Sequence, residues 1–308
     1  MKILITGAGG MLGTDLVEAL RGHFDIVGLG LFEAPHLKIP YRCLDLTDSR
    51  AVEDLWFQEK PELVFHLAAM THVDDCEIKR DEASRANVLA VKNVANASKK
   101  INAPVVFFST DFVFNGKEMR EYTEEDVPDP KSHYAVTKAQ AEKFLQNCGC
   151  LFVIFRICWL YGLRGRSFPR AILNMAAKQK EVKVVADQIG RPSYTRDISS
   201  ALASLLRREP AIFKRLAGQI FHLANAGTAS WADFAEEVLK LAGHKEHTVK
   251  RIGWRDFKRD VNPDSAERPE HAILSLQKTR DVLGIQLRPW QEGLRDFIQE
   301  YQDHPIKV

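Results

Sequence analysis

A glycine-rich turn near the start of the chain constrains its fold more than any other feature. An apolar run at residues 2–6 leads into Gly-Ala-Gly-Gly-Met-Leu-Gly at residues 7–13, and helically spaced apolar residues follow. Gly7 permits the tight bend, Gly10 lets the backbone approach a pyrophosphate, and Gly13 lets the helix pack on the strand. The helix N-terminus adds free N–H groups and a positive dipole end. Because the Lys-Ser/Thr ending of an ATP-binding loop is absent, we predict dinucleotide binding by Gly7, Gly10, Met11, Leu12 and Gly13.

Short apolar runs alternate with helically spaced segments through the first half of the chain. The strand-like runs are residues 2–6, 25–29, 41–44, 63–67, 105–109 and 151–156. The helical segments are residues 12–20, 49–58, 82–99 and 134–147. Such alternation predicts βαβ units with right-handed crossovers, and nearly continuous apolar strands predict a sheet covered on both faces. The expected fold class is therefore α/β, a Rossmann-type doubly wound parallel sheet.

The pattern loosens after about residue 160. Helices are expected at residues 168–179, 196–207, 231–242, 276–283 and 290–301, and a strand at residues 182–186. Residues 251–268 are charged and read as irregular. We predict an NAD(P)-binding domain over residues 1–160 and a smaller, mixed substrate-binding region over residues 161–308. Some segments of that region, about 185–225, are expected to return to the first domain.

Composition narrows the function classes. A net charge of +2 gives no reason to expect nucleic acid or an acidic membrane surface as a partner, and no apolar run is long enough to span a bilayer. The five cysteines are an odd number in a large chain, which favours a reducing cytoplasm over a disulfide framework. Cys148 and Cys150 have no second Cys/His pair nearby, so no metal site is expected.

The other strand ends suggest how a dinucleotide would be held. The second strand ends in Gly-Leu-Gly-Leu-Phe with Glu33 slightly late, so the acid that usually binds the adenosine ribose is missing. NADP(H) is therefore permitted and favoured, with His36 and Lys38 close by, and NAD(H) stays open. Asp45 and Leu46 are placed to meet the adenine, although Asp45 can equally cap the next helix. The small residues Ala68 and Ala69 would let the cofactor pass close to the backbone.

A hydroxyl, a phenol and an ammonium are predicted to meet at the same crevice. Thr110 ends an apolar strand, and Tyr134 and Lys138 lie four residues apart at the start of a helix, on one face. A lysine cation beside a tyrosine lowers the phenol pKa, so the phenol can exchange a proton near neutral pH. We predict that Tyr134 protonates a carbonyl oxygen as hydride arrives, that Thr110 hydrogen-bonds that oxygen, and that Lys138 also holds the nicotinamide ribose.

Asn87 lies inside a predicted helix. A mid-helix asparagine is usually a tolerated polar residue, and that reading stays open here. The alternative is that Asn87 hydrogen-bonds the backbone and holds a water near Lys138, which would make it part of the catalytic group.

With these residues in hand, the chain resembles the dTDP-4-dehydrorhamnose reductases, a family of extended short-chain dehydrogenases/reductases. Residues 109–116, Ser-Thr-Asp-Phe-Val-Phe-Asn-Gly, resemble the family signature S-T-D-Y-V-F-x-G. Further similar stretches follow in the same order over nearly the whole chain, at residues 66–69, 71–74, 134–138, 156–162, 187–192, 268–269 and 274–275 and at Trp290.

The resemblance implies a specific reaction. Members of the family reduce the 4-keto group of dTDP-6-deoxy-L-lyxo-4-hexulose to dTDP-L-rhamnose with NADPH or NADH. Thr110, Tyr134 and Lys138 match the catalytic positions of the family. Thr71 matches the region that lines the cofactor, while Asp111, Phe112 and Trp159 match the sugar pocket. Some members dimerise, so a homodimer stays open.

The phosphates of a nucleotide sugar require cations. Arg191 and Arg268 are candidates for contacts with them, although surface arginines are common.

Several departures from the family pattern leave the substrate open. Phe112 stands where tyrosine is usual, Ile157 and Cys158 stand where Thr-Ser is common, and Ser167 and Ser193 replace Asn and Thr. A sister nucleotide-sugar 4-ketoreductase is therefore an alternative. So is a non-catalytic nucleotide-binding subunit like the methionine adenosyltransferase β subunit, although the intact Thr, Tyr and Lys argue against it. A dehydratase would carry Asp-Glu after Thr110, which this chain lacks.

Overall fold

The computed structural model describes residues 1–303, which form thirteen strands and thirteen α-helices. The strands are β1 Lys2–Thr6, β2 Asp25–Gly30, β3 Tyr41–Cys43, β4 Leu63–His66, β5 Val105–Thr110, β6 Phe152–Ile157, β7 Leu160–Tyr161, β8 Glu181–Val185, β9 Ile189–Gly190, β10 Ser193–Tyr194, β11 Gln219–His222, β12 Ala229–Ser230 and β13 Thr248–Ile252.

The helices are α1 Met11–Leu20, α2 Ser49–Glu59, α3 Val73–Ile78, α4 Arg80–Ser84, α5 Ala90–Lys100, α6 His133–Asn147, α7 Phe168–Ala176, α8 Thr195–Arg208, α9 Ile212–Arg215, α10 Trp231–Leu241, α11 Trp254–Asp260, α12 Gln277–Leu283 and α13 Trp290–Asp303. Between α4 and α5 the chain makes a π-helical turn, Arg85–Leu89. No helix within residues 1–303 is long and apolar enough to cross a membrane.

Seven strands form one parallel sheet in the order β3-β2-β1-β4-β5-β6-β11. Every residue of β4 and β5 is buried, as expected for strands that helices cover on both faces. The strand order reverses between β1 and β4, which opens a crevice at the carboxyl ends of these strands. The predicted α/β class and doubly wound parallel sheet are confirmed.

Two later elements pack with this sheet. β11 pairs with β6 at the sheet edge, and α8 packs beside α1 on one face. Ile198 and Leu202 of α8 share a buried core with Leu16 of α1. Both elements lie inside residues 185–225, while the proposed domain boundary at residue 160 stays a prediction.

A second apolar core lies in the C-terminal part. Tyr161, Phe234 and Phe297 are fully buried there, between α7, α10 and α13. Three two-stranded sheets, β7–β10, β9–β12 and β8–β13, border this core. The C-terminal part therefore has an apolar core of its own beside the crevice.

Residues 251–268, which we expected to be irregular, include the end of β13 and all of α11. The helix begins at Trp254, whose N–H donates to both carboxylate oxygens of Asp187 at 2.9 Å. β13 pairs in parallel with β8 along five residues. Tertiary contacts rather than a local apolar period therefore stabilise both elements.

Candidate active site

One large cavity of about 1200 Å³ lies at the carboxyl ends of β1, β4 and β5, between the parallel sheet and the C-terminal part. Most of the predicted site residues line it: Gly7, Gly10, Met11, Leu12, Gly13, Asp45, Leu46, Ala68, Ala69, Thr71, Thr110, Asp111, Phe112, Tyr134, Lys138, Trp159 and Arg268. Asn87 and Arg191 are not among its lining residues. The fold thus brings segments from the whole chain to one crevice.

The glycine turn is built so that backbone faces the cavity. Gly7 has φ +67°, and a Cβ there would lie 2.7 Å from the backbone nitrogen of Ala68. A Cβ on Gly13 would lie 2.3 Å from the Gly7 carbonyl oxygen. Gly10 precedes α1, and no side chain caps the helix. The open N–H groups of the first turn therefore fit a pyrophosphate, as a dinucleotide requires.

Thr6 and His66 connect the end of β1, where the glycine turn begins, to the loop after β4. The Thr6 hydroxyl accepts a hydrogen bond from the Ala68 N–H at 3.2 Å and bonds to the His66 Nδ1 at 2.8 Å. Burial, with the nearby Lys138 cation, lowers the pKa of His66 to about 3, so the ring is neutral. These contacts fix the loop after β4 at the distance that Gly7 needs. Neither role was anticipated, because nothing local in the sequence joins residue 6 to residue 66.

Asp45 also lines the crevice, and its side chain does not cap helix α2. Asp48 caps α2 by accepting from the N–H groups of Arg50 and Ala51. The Asp45 carboxylate accepts from the Thr47 N–H at 2.8 Å, and this bond lowers the Asp45 pKa. Arg85, also not anticipated, donates to the Thr47 hydroxyl at 3.0 Å and lines the cavity here. This part of the crevice thus presents one carboxylate and one guanidinium.

The three predicted catalytic side chains lie on two adjacent elements. Thr110 ends β5, its hydroxyl donating to Asp111 Oδ1 at 3.0 Å and accepting from the Phe112 N–H at 3.2 Å. Ser132 caps α6 and sets the start of the helix, so Tyr134 and Lys138 point into the crevice one turn apart. Tyr134 is half-buried, while Lys138 is 3% exposed with its ammonium 4.0 Å from the centre of the Phe107 ring.

Burial dominates the electrostatics of these groups. It lowers the pKa of Lys138 to about 7, with Glu142 acting in the opposite direction. Burial, with the carboxyl of Asp111, also raises the pKa of Tyr134, and the Thr110 hydroxyl partly offsets this. The expected lowering of the Tyr134 pKa by Lys138 is therefore wrong. The physical reason is that Lys138 is itself desolvated and only partly charged at neutral pH. The Tyr134 phenol is therefore protonated at neutral pH.

Asn87 lies in the π-helical turn and is fully buried. Its side chain accepts from the Met70 N–H at 2.8 Å and donates to the Met70 carbonyl and the Thr137 hydroxyl, both at 3.0 Å. These bonds tie the loop after β4 to helix α6, next to Lys138. π-helical turns often occur at functional sites because they redirect a single side chain. By its contacts Asn87 is a positioning residue.

The structure contradicts the predicted contact between Arg191 and a substrate phosphate. Its guanidinium is 7% exposed and donates to the carbonyls of Leu274 and Gly227 and to the carboxylate of Glu121. Arg191 and Glu121 line a separate small cavity, and the guanidinium is used by its three partners, so Arg191 is not available for a substrate phosphate. Surface and buried arginines look alike in a sequence, and only the fold shows where the side chain points.

Arg268 does line the large cavity. It pairs with Asp74 at 2.9 Å, and its guanidinium lies 5.3 Å from the Trp254 ring centre. A phosphate contact would therefore share this arginine with a carboxylate.

Trp159 forms part of the wall that faces Tyr134 across the cavity. Its backbone is left-handed, with φ 44°, which is uncommon for a residue other than glycine. The indole stacks on Trp231 with ring centres 3.5 Å apart. The stack joins the end of β6 to α10 and forms a flat apolar surface in the crevice.

Comparison with known proteins agrees with this architecture. The model of the RmlD substrate binding domain family matches residues 1–303. A dTDP-4-dehydrorhamnose reductase of Burkholderia thailandensis is 33% identical, over 97% of this chain and 100% of that protein.

Two solved structures are similar throughout. A dTDP-4-dehydrorhamnose reductase of Clostridium acetobutylicum is 33% identical with a TM-score of 0.86, covering 98% of this chain and 100% of that one. The Bacillus anthracis enzyme of the same name, solved in complex with NADP, is 30% identical with a TM-score of 0.83, covering 97% and 99%. The resemblance inferred from the sequence is confirmed. This chain belongs to the RmlD substrate binding domain family.

Proposed function

We propose that this protein is an NAD(P)H-dependent reductase of the 4-keto group of a nucleotide-linked 6-deoxy sugar, converting dTDP-4-dehydro-L-rhamnose to dTDP-L-rhamnose. The observation that carries the proposal is one cavity that joins the glycine turn to Thr110, Tyr134 and Lys138. A hydride acceptor placed between these groups would meet a dinucleotide on one side and a proton donor on the other.

NADPH is the favoured cofactor. The end of β2 offers Leu31 and Phe32 to the cavity in place of an acid, so no carboxylate there repels a 2′-phosphate. Arg85 also lines the cavity and supplies a cation, next to the Asp45 carboxylate that bonds the same residue, Thr47. The backbone N–H groups at the start of α1 would hold the pyrophosphate. When bound, the cofactor supplies the hydride that reduces C4 of the sugar.

The protein's own residues supply the rest of the chemistry. The Tyr134 hydroxyl gives its proton to the carbonyl oxygen, which becomes the C4 hydroxyl. Thr110 donates a hydrogen bond to the same oxygen and orients it. Lys138 holds the nicotinamide ribose and, when charged, stabilises the phenolate that remains on Tyr134. Asn87 holds the loop after β4 against helix α6 through its bonds to Met70 and Thr137.

The nucleotide end of the substrate would lie in the C-terminal half of the cavity. Lys183 and Arg166 line this half, and neither forms an ion pair within the described residues. Gln188 is 2% exposed, and its buried Nε2 has no hydrogen-bond partner within residues 1–303. Lys183 interacts with Asp260 only at longer range. Two cations that form no ion pair within residues 1–303 suit a diphosphate, and an unused amide donor suits a base carbonyl or a sugar hydroxyl. We propose these residues in place of Arg191.

A sister nucleotide-sugar 4-ketoreductase is the second candidate. Phe112 lies edge-on to Tyr134, with ring centres 6.4 Å apart, where the family usually has a tyrosine. The missing hydroxyl removes one polar group from beside the sugar, so a sugar with one fewer hydroxyl would fit better here.

The test is oxidation of NADPH and of NADH in the presence of dTDP-4-keto-6-deoxy sugar made freshly by its upstream enzymes. We expect turnover with formation of dTDP-L-rhamnose and a preference for NADPH. Turnover of a different 4-keto sugar only would favour the sister enzyme. Clear cofactor binding with no turnover of any nucleotide-linked 4-keto sugar would overturn the proposal and favour a non-catalytic nucleotide-binding protein.

A further inference from the structure

Asp111 and Cys158 form a buried hydrogen-bonded chain behind Thr110. Asp111 is 2% exposed and Cys158 is 1% exposed. The Asp111 carboxyl accepts from the Thr110 hydroxyl at Oδ1 and from the Cys158 thiol at Oδ2, both at 3.0 Å. The Cys158 sulfur in turn accepts from the Arg191 N–H at 3.3 Å. The hydrogen-bonded chain therefore runs from Arg191, directly after β9, to Thr110.

The hydroxyl of Thr110 has a single proton to give. A threonine hydroxyl donates once and accepts twice. In the arrangement described, that proton goes to Asp111, and one acceptor position is filled by the Phe112 N–H. While Asp111 is a carboxylate, which accepts only, Thr110 has no proton left for a substrate carbonyl.

Protonation of Asp111 reverses this bond. A neutral carboxylic acid has one O–H, which can donate to the Thr110 oxygen. Thr110 then accepts from both Asp111 and Phe112 and has its proton free for the substrate oxygen. Every donor and acceptor of the hydroxyl is then used, with no change in the positions of the heavy atoms.

We propose that Asp111 is a positioning residue whose neutral form turns the Thr110 proton toward the substrate, and that the Cys158 thiol opposes this form by donating to the carboxylate. The inference rests on the proposed reductase function and adds a control of its pH dependence. It concerns Cys158, which stands where serine is common in the family, so a weaker thiol donor takes the place of a hydroxyl.

The surroundings of Asp111 suit such a control. Burial raises its pKa to about 7, while the hydrogen bonds from Cys158 and Thr110 act in the opposite direction. Both forms are therefore populated near neutral pH. Burial and Asp111 itself raise the pKa of Cys158, so it stays a thiol and a donor.

The other titratable groups near this chain are few. Tyr134 on α6 lies within electrostatic reach of Asp111, and a hydrogen bond with Thr110 lowers the Tyr134 pKa. The Cys76 thiol on α3 raises the Tyr134 pKa, and the Arg191 cation acts on Cys158. These contacts determine the direction in which a substitution moves the Asp111 pKa. The thiol bond to Oδ2 is stronger when Asp111 is a carboxylate than when it is a neutral acid, so loss of the thiol donor raises the Asp111 pKa.

The first test compares the pH profiles of kcat for the wild type, Cys158→Ala and Cys158→Ser. We expect turnover to fall as the pH rises through the Asp111 pKa. Cys158→Ala should move this alkaline limb upward by about one pH unit, the value of one hydrogen bond to a charged group. Cys158→Ser keeps a donor and should hold the limb at or below its wild-type position. Cys150→Ala is the matched control, a buried thiol outside the cavity, and should leave the limb in place.

The second test reads Asp111 directly, without turnover. Infrared difference spectra of the cofactor-free protein should show a protonated carboxyl band that disappears as the pH rises through neutrality. The band should be absent in Asp111→Asn and should persist to higher pH in Cys158→Ala. Retained cofactor binding by both variants would show that they fold.

These measurements separate the two proposals. The expected band shift without any reductase turnover would support the Asp111 control and refute the proposed reaction. Turnover with no titrating carboxyl band, or an alkaline limb that Cys158→Ala does not move, would overturn the inference while leaving the reductase intact. Lys138 titrates over the same pH range in the kcat profile, but an ammonium contributes no carboxyl band, so the infrared spectra separate the two groups.

Discussion

The two halves of the cavity are built in different ways. The half at the carboxyl ends of β1, β2 and β4 presents mainly backbone. This backbone comprises the glycine turn, the open N–H groups of α1 and the chain at Ala68. The half facing the C-terminal part presents side chains, among them Trp159, Lys183 and Gln188. A backbone-built site tolerates few substitutions because any Cβ intrudes, whereas a side-chain-built site can change its ligand by changing single residues. The contrast suggests a constant cofactor and an adjustable substrate.

The largest expected effect concerns the proton donor where the two halves meet. Tyr134→Phe should lower kcat by about 10²- to 10⁴-fold while the Kd for NADPH stays similar, since only the proton is lost. Tyr301→Phe, far from the cavity and at the end of α13, is the matched control. Stopped-flow turnover and cofactor titration give the two numbers. Near-wild-type kcat in Tyr134→Phe would remove Tyr134 from the chemistry.

The next effect tests the backbone-built half. Gly7→Ala places a Cβ 2.7 Å from the Ala68 nitrogen, so the turn must shift and the Kd for NADPH should rise by more than about tenfold. Gly22→Ala is matched in backbone strain, with φ +82° and no atom within 4 Å of the added Cβ. It should cost only about 1 kcal/mol of stability and leave cofactor affinity unchanged. Equal losses of affinity in both variants would show strain rather than close approach.

A smaller effect is expected in the side-chain-built half and tests the contact of Lys183 with the nucleotide sugar. Lys183→Met should raise the KM for the nucleotide sugar by about tenfold, the loss expected for one charge-assisted contact to phosphate. The KM for NADPH should not change. Lys180→Met, which removes an exposed lysine paired with Glu246 just before the same strand, is the control. An unchanged sugar KM in Lys183→Met would place the diphosphate elsewhere.

The last effect is on stability rather than on catalysis and concerns Lys138. Its pKa in the folded protein, about 7, is below the value near 10.4 of an unfolded lysine. Between these values the unfolded chain binds the extra proton, so the group's contribution to stability rises with pH over that window. The Tm of the cofactor-free wild type should therefore increase relative to that of Lys138→Met as the pH goes from about 7 to about 10. A constant difference would show that Lys138 stays charged.

Much of the fold was predictable because its signals are local. β1 and the alternating helices follow from apolar periodicity, and the strand ends that carry Thr110 and Ala68 follow from the parallel topology. β11 and α11 were not anticipated, because β11 is stabilised at a sheet edge and α11 by the carboxylate of Asp187. Neither partner is near in sequence, so no local pattern reveals them.

The sequence by itself determined the parts of this protein that depend on spacing: the glycine turn, the helical Tyr134–Lys138 pair and the class of fold. The tertiary structure alone decided which charges are free and which are used. It turned Arg191 toward Glu121, left Lys183 without an ion pair among residues 1–303, and desolvated Lys138 so that its pKa fell. The physical reason is that burial and pairing depend on groups distant along the chain, and a side chain's direction and solvation are properties of the assembled fold.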